Sequence, residues 1–323
     1  PSRKGQNLSI AWTKRIIFPF VLAFSIFTLY PIVYTFVIGF TDLKGIGNVD
    51  INILWSDPFK NFVTVLKNPS FQTAFKNTVV IWLLNFTPQM ILALVIAAWF
   101  TDKRCKIKGQ GFFKVIFYMP NIITAATIAI LFASLFGFPK GPVNDLLMKI
   151  GFTDEPINML QMGWVAQGIV IFIQTWMWYG YTSIVLMSGI LGISPELFEA
   201  AEVDGANRTQ TFFKITIPNI KTILLFTLVT SLIGGLNMFD IPKLFLDGKP
   251  DNATLTTSVF IYNQAFSGSY LYARAAAASV IMFLIICVIS ALMFYVMRDK
   301  DEAALRKIVR EQEKAYKKKL KGL

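Results

Sequence analysis

Between two long uncharged runs lies a polar stretch, residues 194–218, in which Glu199, Ala200, Ala201, Asp204, Gly205, Phe212, Ile215 and Pro218 recur at short spacing. The chemistry open to such a set is recognition rather than bond-making. A nucleophile needs a base beside it, and a metal ion needs several donors. This chain has no histidine, two cysteines (Cys105 and Cys287) placed far apart, and no acidic pair inside an apolar run. No catalytic residue, metal ligand or disulfide is expected. The sequence also lacks a Gly-x-x-x-x-Gly-Lys-Ser/Thr loop to cradle phosphates, so ATP chemistry is not expected of this chain itself.

The stretch reads as a folded protrusion. Ser194 and Pro195 suit the N-cap and first position of a helix, and Glu196 favours the positive end of its dipole. Residues 195–203 make about two and a half turns at 3.6 residues each. Gly205 then stops the helix and permits positive φ. A second short helix is predicted over 206–214, and Pro218 marks the return to an apolar run. Ala200 and Ala201 leave a face that another protein can approach closely. Glu199 offers a fixed charge to an arginine, and Leu197, Phe198, Phe212 and Phe213 offer apolar surface.

The elements that carry this protrusion are membrane helices. Charged residues are 15% of the 323-residue chain, against about a quarter in soluble domains. Six uncharged runs are long enough to span a bilayer: 16–40, 78–100, 115–138, 163–191, 222–239 and 275–297. The fold class is therefore an all-α integral membrane protein with six transmembrane helices. The first run is too long for a signal-peptide core and reads as a retained span.

The net charge of +12 is segregated rather than spread, which argues for a membrane partner and against nucleic acid. Segments 1–15, 101–114, 192–221 and 298–323 carry 22 Lys and Arg; the alternate loops 41–77, 139–162 and 240–272 carry 8. Positive segments stay in the cytoplasm, which places both termini inside. The chain divides into a tail over 1–15, a six-span domain over 16–297 and a basic tail over 298–323. That last tail, with Glu302–Arg306 and Glu313–Lys317 at helical spacing, reads as a solvated helix beside an anionic leaflet.

A second set of residues follows the fifth run. Gly234, Gly235, Asn237, Asp240 and Pro242 are expected to interrupt the helix, and interrupted helices line transporter sites. Asp240 is either a path residue or an interfacial one. Trp176, Trp178, Tyr179, Asn237 and Tyr262 combine aromatic faces with neutral hydrogen-bonding groups, as sugar binding requires. An interfacial aromatic belt uses the same residue types.

The Glu199-Ala200-Ala201, Gly205, Ile215 and Pro218 spacing resembles the EAA loop of ABC importer permeases. Asn61-Phe62, Asn68-Pro69-x-Phe71, Ala74 and Asn77-Thr78 look like carbohydrate-uptake permeases, as do Phe112-Phe113-Lys114 with Tyr118-Met119-Pro120 and the segment from Phe239-Asp240 to Tyr262-Asn263. Ile217 stands where the family usually has Leu, and Gly248-Lys249-Pro250 where it has Gly-Gly-Pro. The resemblance implies a type I ABC importer transmembrane domain in the cytoplasmic membrane, of the maltose and glycerol-phosphate kind. It implies that the first short helix of 194–218 docks on a separate ATPase, which holds ATP and magnesium. It further implies a second related permease, two ATPase copies and an external solute-binding protein. Sugar or oligosaccharide is the implied cargo, with polyol, glycerol-phosphate or amino acid as alternatives. A channel or secondary transporter would have no need of such a loop.

Overall fold

The computed structural model describes residues 17–47, 51–102, 104–105, 107–268, 270–297 and 311–312. The tails over 1–15 and 298–323 lie outside the described residues, apart from 311–312. Among the described residues the chain is helical, with one isolated antiparallel bridge between Thr41 and Ile53.

Among the described residues five helical segments are long and apolar enough to cross a membrane, the fourth of them Lys221–Leu246, and a sixth span is available if one bent pair counts as one. Helix α1 (Ile17–Gly39) carries a π segment at Ser25–Leu29. After the short α2 (Lys60–Leu66) comes α3 (Pro69–Thr101). At 33 residues α3 is about 50 Å long, more than the ~30 Å hydrocarbon core, so it begins well before the apolar run does. Asn68 explains the early start: its Oδ1 accepts from the N–H groups of Ser70 (2.8 Å) and Phe71 (3.3 Å). Pro88 is accommodated inside α3.

The third predicted span is not one straight helix. Helices α4 (Gln110–Ile122) and α5 (Ala125–Leu135) meet at 90° across a two-residue break. The cause is local. Thr124 takes an extended conformation and caps α5, its hydroxyl accepting from the Thr127 N–H at 3.3 Å. A β-branched residue with a backbone-directed hydroxyl favours such a cap over a helix interior.

Next come α6 (Pro142–Lys149), α7 (Gly163–Leu191) and α8 (Pro195–Val203). Helix α9 starts at Arg208–Thr211 and runs through a π turn, Phe212–Thr216, into Ile217–Asn219. Helix α10 (Lys221–Leu236) precedes α11 (Asp240–Leu246), α12 (Thr257–Phe266) and α13 (Tyr272–Met297).

Two compact units result. The first takes its residues from the chain up to Asn85, from Ile122–Trp176 and from Gly235–Leu284. Polar side chains tie it together. Asn61 is buried and donates to the carbonyls of Gly39 (3.0 Å) and Thr41 (2.8 Å). Asn77 donates to the carbonyls of Asn252 (2.6 Å) and Leu255 (3.2 Å), and the Thr78 hydroxyl accepts from the Thr257 N–H at 2.9 Å. Gln167 donates to the Ala253 carbonyl at 3.0 Å, and the Thr256 hydroxyl donates to the Met238 carbonyl at 2.8 Å. The Asn-Thr pair before the second predicted span is thus a clamp on the loop that leads into α12.

The second unit comprises Phe86–Asn121, Met177–Gly234 and the described residues after Ile285. Its core joins Ala93, Ala97, Phe100, Leu186, Met187, Ile190 and Ile220. A buried hydrogen bond from Gln89 Nε2 to Thr182 Oγ1 (2.7 Å) crosses between α3 and α7. Gly180 lets α7 approach α4 closely: a Cβ there would sit 1.8 Å from the Phe117 carbonyl oxygen.

Candidate docking loop and polar path

Helix α8 ends as its glycine dictates. Gly205 has φ +73°, its N–H donates to Glu202 at 3.1 Å, and the Ala206 N–H donates back to Ala201 at 2.9 Å. These two bonds form a Schellman cap, which satisfies the last carbonyls of the helix. Ser194 occupies the N-cap position as expected, with Pro195 following, but its side chain makes no capping bond. The second helix is better capped than the sequence suggested. Asn207 Oδ1 accepts from the Gln210 N–H (2.8 Å), and Gln210 Oε1 accepts from the Asn207 N–H (2.9 Å), a reciprocal box. The π turn then carries the helix beyond the predicted end at 214. Pro218 lies in the last turn rather than at a bend.

The protrusion presents a mixed surface. Glu199 and Ala200 are exposed, whereas Ala201 is buried. Leu197, Val203 and Phe213 are exposed apolar side chains, Val203 at 87%. Phe212 is half-buried and stacks edge-on against Phe213 with ring centroids 5.1 Å apart. Asp204 caps the end of α8, and Ile215 is half-buried at the root. Ile193, Ile217 and Ile220 fix that root in the core of the second unit. Solvated charge around a few exposed apolar groups is the composition of a docking patch. Glu199 forms no ion pair among the described residues, which leaves its carboxylate available to a partner.

Two ion pairs were not foreseen. Arg208 Nε lies 3.4 Å from Asp102 Oδ2, and Arg104 Nη2 lies 3.5 Å from Glu202 Oε1. They join the short loop after α3 to both sides of Gly205. Sequence spacing could not pair them, because about a hundred residues separate the partners. They put segments 101–114 and 192–221, both rich in positive charge, at the same end of the second unit.

The aromatic and polar candidates fall into separate environments. In the first unit, Trp176 is half-buried against Phe132, with centroids 5.8 Å apart. In the second, Trp178 is exposed and packs edge-on against Tyr181 at 5.9 Å, while Tyr179 faces Phe117 at 6.0 Å. At about 100° per residue, Trp176 and Trp178 project from opposite sides of α7, so they do not form one platform.

Helix α10 breaks at residues 237–239, within the stretch from Gly234 to Pro242 expected to interrupt it. Gly234 and Gly235 are helical. Gly235 serves close packing instead: a Cβ there would lie 2.0 Å from Trp82 Cδ1. Asp240 opens α11 and is exposed, and Asn237 is exposed within the break. Tyr262 packs on Phe239 at 5.2 Å and lies under Lys243, whose Nζ is 4.6 Å from its ring centroid. Lys243 also donates to Asp247 (2.6 Å) and Asn263 (2.9 Å). The i, i+4 spacing of Lys243 and Asp247 was the readable signal for that cluster.

Gln174 is the polar residue that sequence reasoning passed over. It sits inside α7 and is only 7% exposed. A glutamine in the middle of an uncharged run was the available clue. More broadly, every buried polar side chain among the described residues is an amide or a hydroxyl.

Comparison with known proteins agrees with this architecture. Residues 8–301 match the family model described as binding-protein-dependent transport system inner membrane component. The lactose transport system permease LacF of Rhizobium radiobacter is 32% identical over 289 residues, covering 87% of this chain and 92% of that protein. The arabinooligosaccharides transport system permease AraP of Bacillus subtilis (strain 168) is 29% identical over 274 residues, 84% of each chain. A bacterial ABC transporter that imports the acidic polysaccharide alginate superposes with a TM-score of 0.75 at 25% identity, over 92% of this chain and 99% of that one. The same kind of transporter in complex with an alginate pentasaccharide-bound periplasmic protein gives a TM-score of 0.74 at 25% identity, over 92% and 98%. With its long apolar helices and a match over most of its length, the chain belongs to the binding-protein-dependent transport system inner membrane component family: it is a multi-pass permease of an ABC importer, in which a separate subunit hydrolyses ATP.

Proposed function

We propose that this permease forms the translocation path for a sugar or oligosaccharide delivered by an external binding protein. The observation that carries the cargo reading is the neutrality of the buried polar groups. Gln89, Gln174, Thr182 and Thr227 offer amides and hydroxyls, and no charged side chain is buried among the described residues. Such groups match a hydroxyl-rich, uncharged solute better than an ion. Relatives that carry lactose and arabinooligosaccharides support the same class. Beside the path candidates we favour Gln174 for a hydroxyl contact, because it sets an amide donor and acceptor inside the uncharged α7.

In this reading α8 docks on the ATPase, with Glu199 and Ala200 at the contact and Leu197, Val203 and Phe213 around it. Gly205 sets the angle between α8 and α9. Two ATPase copies bind ATP and magnesium, a second related permease completes the path, and both termini lie in the cytoplasm of a cell-membrane assembly. Polyol, glycerol-phosphate or amino acid cargo is the alternative.

The test is purification of the tagged chain from its own membranes in mild detergent, with mass spectrometry of what accompanies it. Recovery of a P-loop ATPase and a second permease is expected, with the ATPase lost from a Glu199→Lys chain that still inserts in the membrane and keeps the second permease. Recovery of the chain alone, even after crosslinking, would overturn the docking reading. Any binding protein recovered is then titrated with lactose, arabinooligosaccharides, glycerol-phosphate and amino acids. Stabilisation by an amino acid alone would overturn the sugar reading.

A further inference from the structure

The docking helix is held by more than its own root. Asp102 immediately follows α3, and its N–H still donates to the Ala98 carbonyl at 3.1 Å, so it is a direct extension of that helix. Both of its carboxylate oxygens are engaged. Oδ1 accepts from the Arg104 N–H at 2.9 Å and folds the turn, while Oδ2 faces Arg208 Nε at 3.4 Å. That turn aims Arg104 at Glu202, 3.5 Å away. The loop is closed behind them: the Cys105 N–H donates to the Asp102 carbonyl at 3.0 Å, Gln110 Nε2 donates to the Phe100 carbonyl, and Ile107 packs on the core of the second unit.

The placement of the pairs is specific. Glu202 lies three residues before Gly205 and Arg208 three after it, so the two bonds bracket the one position where α8 can swing against α9. The charges also alternate. Asp102 meets Arg208 and Arg104 meets Glu202, so a slipped register would bring Asp102 to Glu202 and Arg104 to Arg208, both repulsive. Pairs this exposed add little to stability. What two of them across a hinge can set is an angle.

We propose that Asp102 and Arg104, just after α3, form a brace and act as positioning residues that lock the angle of α8 about Gly205 and tie it to the end of α3. This rests on the reading of 194–218 as the docking loop. In this arrangement a push on α8 reaches α3 through the brace as well as α10 through α9.

The test uses the complex purified with its ATPase and reconstituted in lipid nanodiscs. Asp102→Arg, Arg208→Asp, Arg104→Glu and Glu202→Arg are made singly, with the swapped doubles D102R/R208D and R104E/E202R. ATP hydrolysis per assembled complex and hydrogen–deuterium exchange over 200–212 are both read. Each single reversal is expected to change hydrolysis and to speed exchange about three- to tenfold, with R104E/E202R returning to within about twofold of the unmodified chain and D102R/R208D recovering part of the way, because arginine cannot replace the Asp102 Oδ1 bond to the Arg104 N–H. Asp102→Asn separates the roles, since its amide oxygen still accepts from the Arg104 N–H but the charge is gone; it is expected to behave as a milder reversal. Singles that match the unmodified chain, or doubles no better than their singles, would overturn the brace. If no ATPase accompanies the chain, the docking reading fails instead, and the exchange pattern alone still decides whether the brace exists.

Discussion

Asn77 donates from Nδ2 to the carbonyl of Asn252 at 2.6 Å, joining the start of α3 to a loop 175 residues further along the chain. The same amide also reaches the Leu255 carbonyl at 3.2 Å. Next to it, Thr78 and Thr257 are both fully buried and hydrogen-bonded. Truncating Asn77 would leave carbonyls of a tight loop without donors. Asn77→Ala is therefore expected to lower stability by about 1–3 kcal/mol. The check is thermal unfolding followed by fluorescence size-exclusion in detergent, against a neighbouring control, Lys76→Ala. A midpoint equal to that of the control would remove the clamp.

Gly205 is expected to tolerate substitution in an order set by backbone conformation. At φ +73°, Asn costs least, Ala more and Val most, because the αL region is open to Asn but crowded by a branched Cβ. Gly205→Ala should cost about 1 kcal/mol locally. Uptake, scored at equal membrane abundance, should fall in the same order. Gly205→Asp adds a charge at the end of α8 and, in the proposed docking role of that helix, is expected to abolish uptake with insertion intact. Equal uptake by the Asn and Val variants would show that this angle does not matter.

Gly180 is expected to admit no side chain. A Cβ at that position would meet the Phe117 carbonyl oxygen at 1.8 Å, and the obstacle is backbone rather than a movable side chain. Gly180→Ala must push α7 from α4 and should cost about 1–3 kcal/mol, the usual range for overpacking. A fall in folded yield and unfolding midpoint is the expected readout; an unchanged midpoint would mean that the helices separate freely here.

Gln174→Leu is expected to separate stability from transport. Leucine of similar size fills the same space without the amide, so the unfolding midpoint should rise or hold. Uptake of whichever sugar stabilises the binding protein should fall at the same time. Loss of stability together with uptake would instead mark Gln174 as a structural residue.

Much of this architecture was legible in the chain because its causes are local. A membrane helix satisfies its own backbone, so uncharged length was enough to find the runs that became α1, α3, α7, α10 with α11, and α13. Gly205 in a left-handed cap and Pro195 at a helix start follow from the conformations those residues allow, and the spacing from Glu199 to Pro218 was enough to suggest the importer family. Where competing local preferences or a partner far along the chain had to be weighed, only the tertiary structure decided. The third span broke at Thr124 because a side-chain cap outweighed uninterrupted apolar sequence. Of the residues expected to interrupt the helix from Gly234 to Pro242, Asn237 lies in the break, whereas Gly234 and Gly235 stay helical and Gly235 packs against the Trp82 ring. Trp176 and Trp178, close in sequence, were turned apart by helical periodicity and packed on different neighbours. Asp102 and Arg104 read as ordinary loop charges until folding set them beside Arg208 and Glu202, since the pairing of distant charges is decided by how helices pack and not by composition.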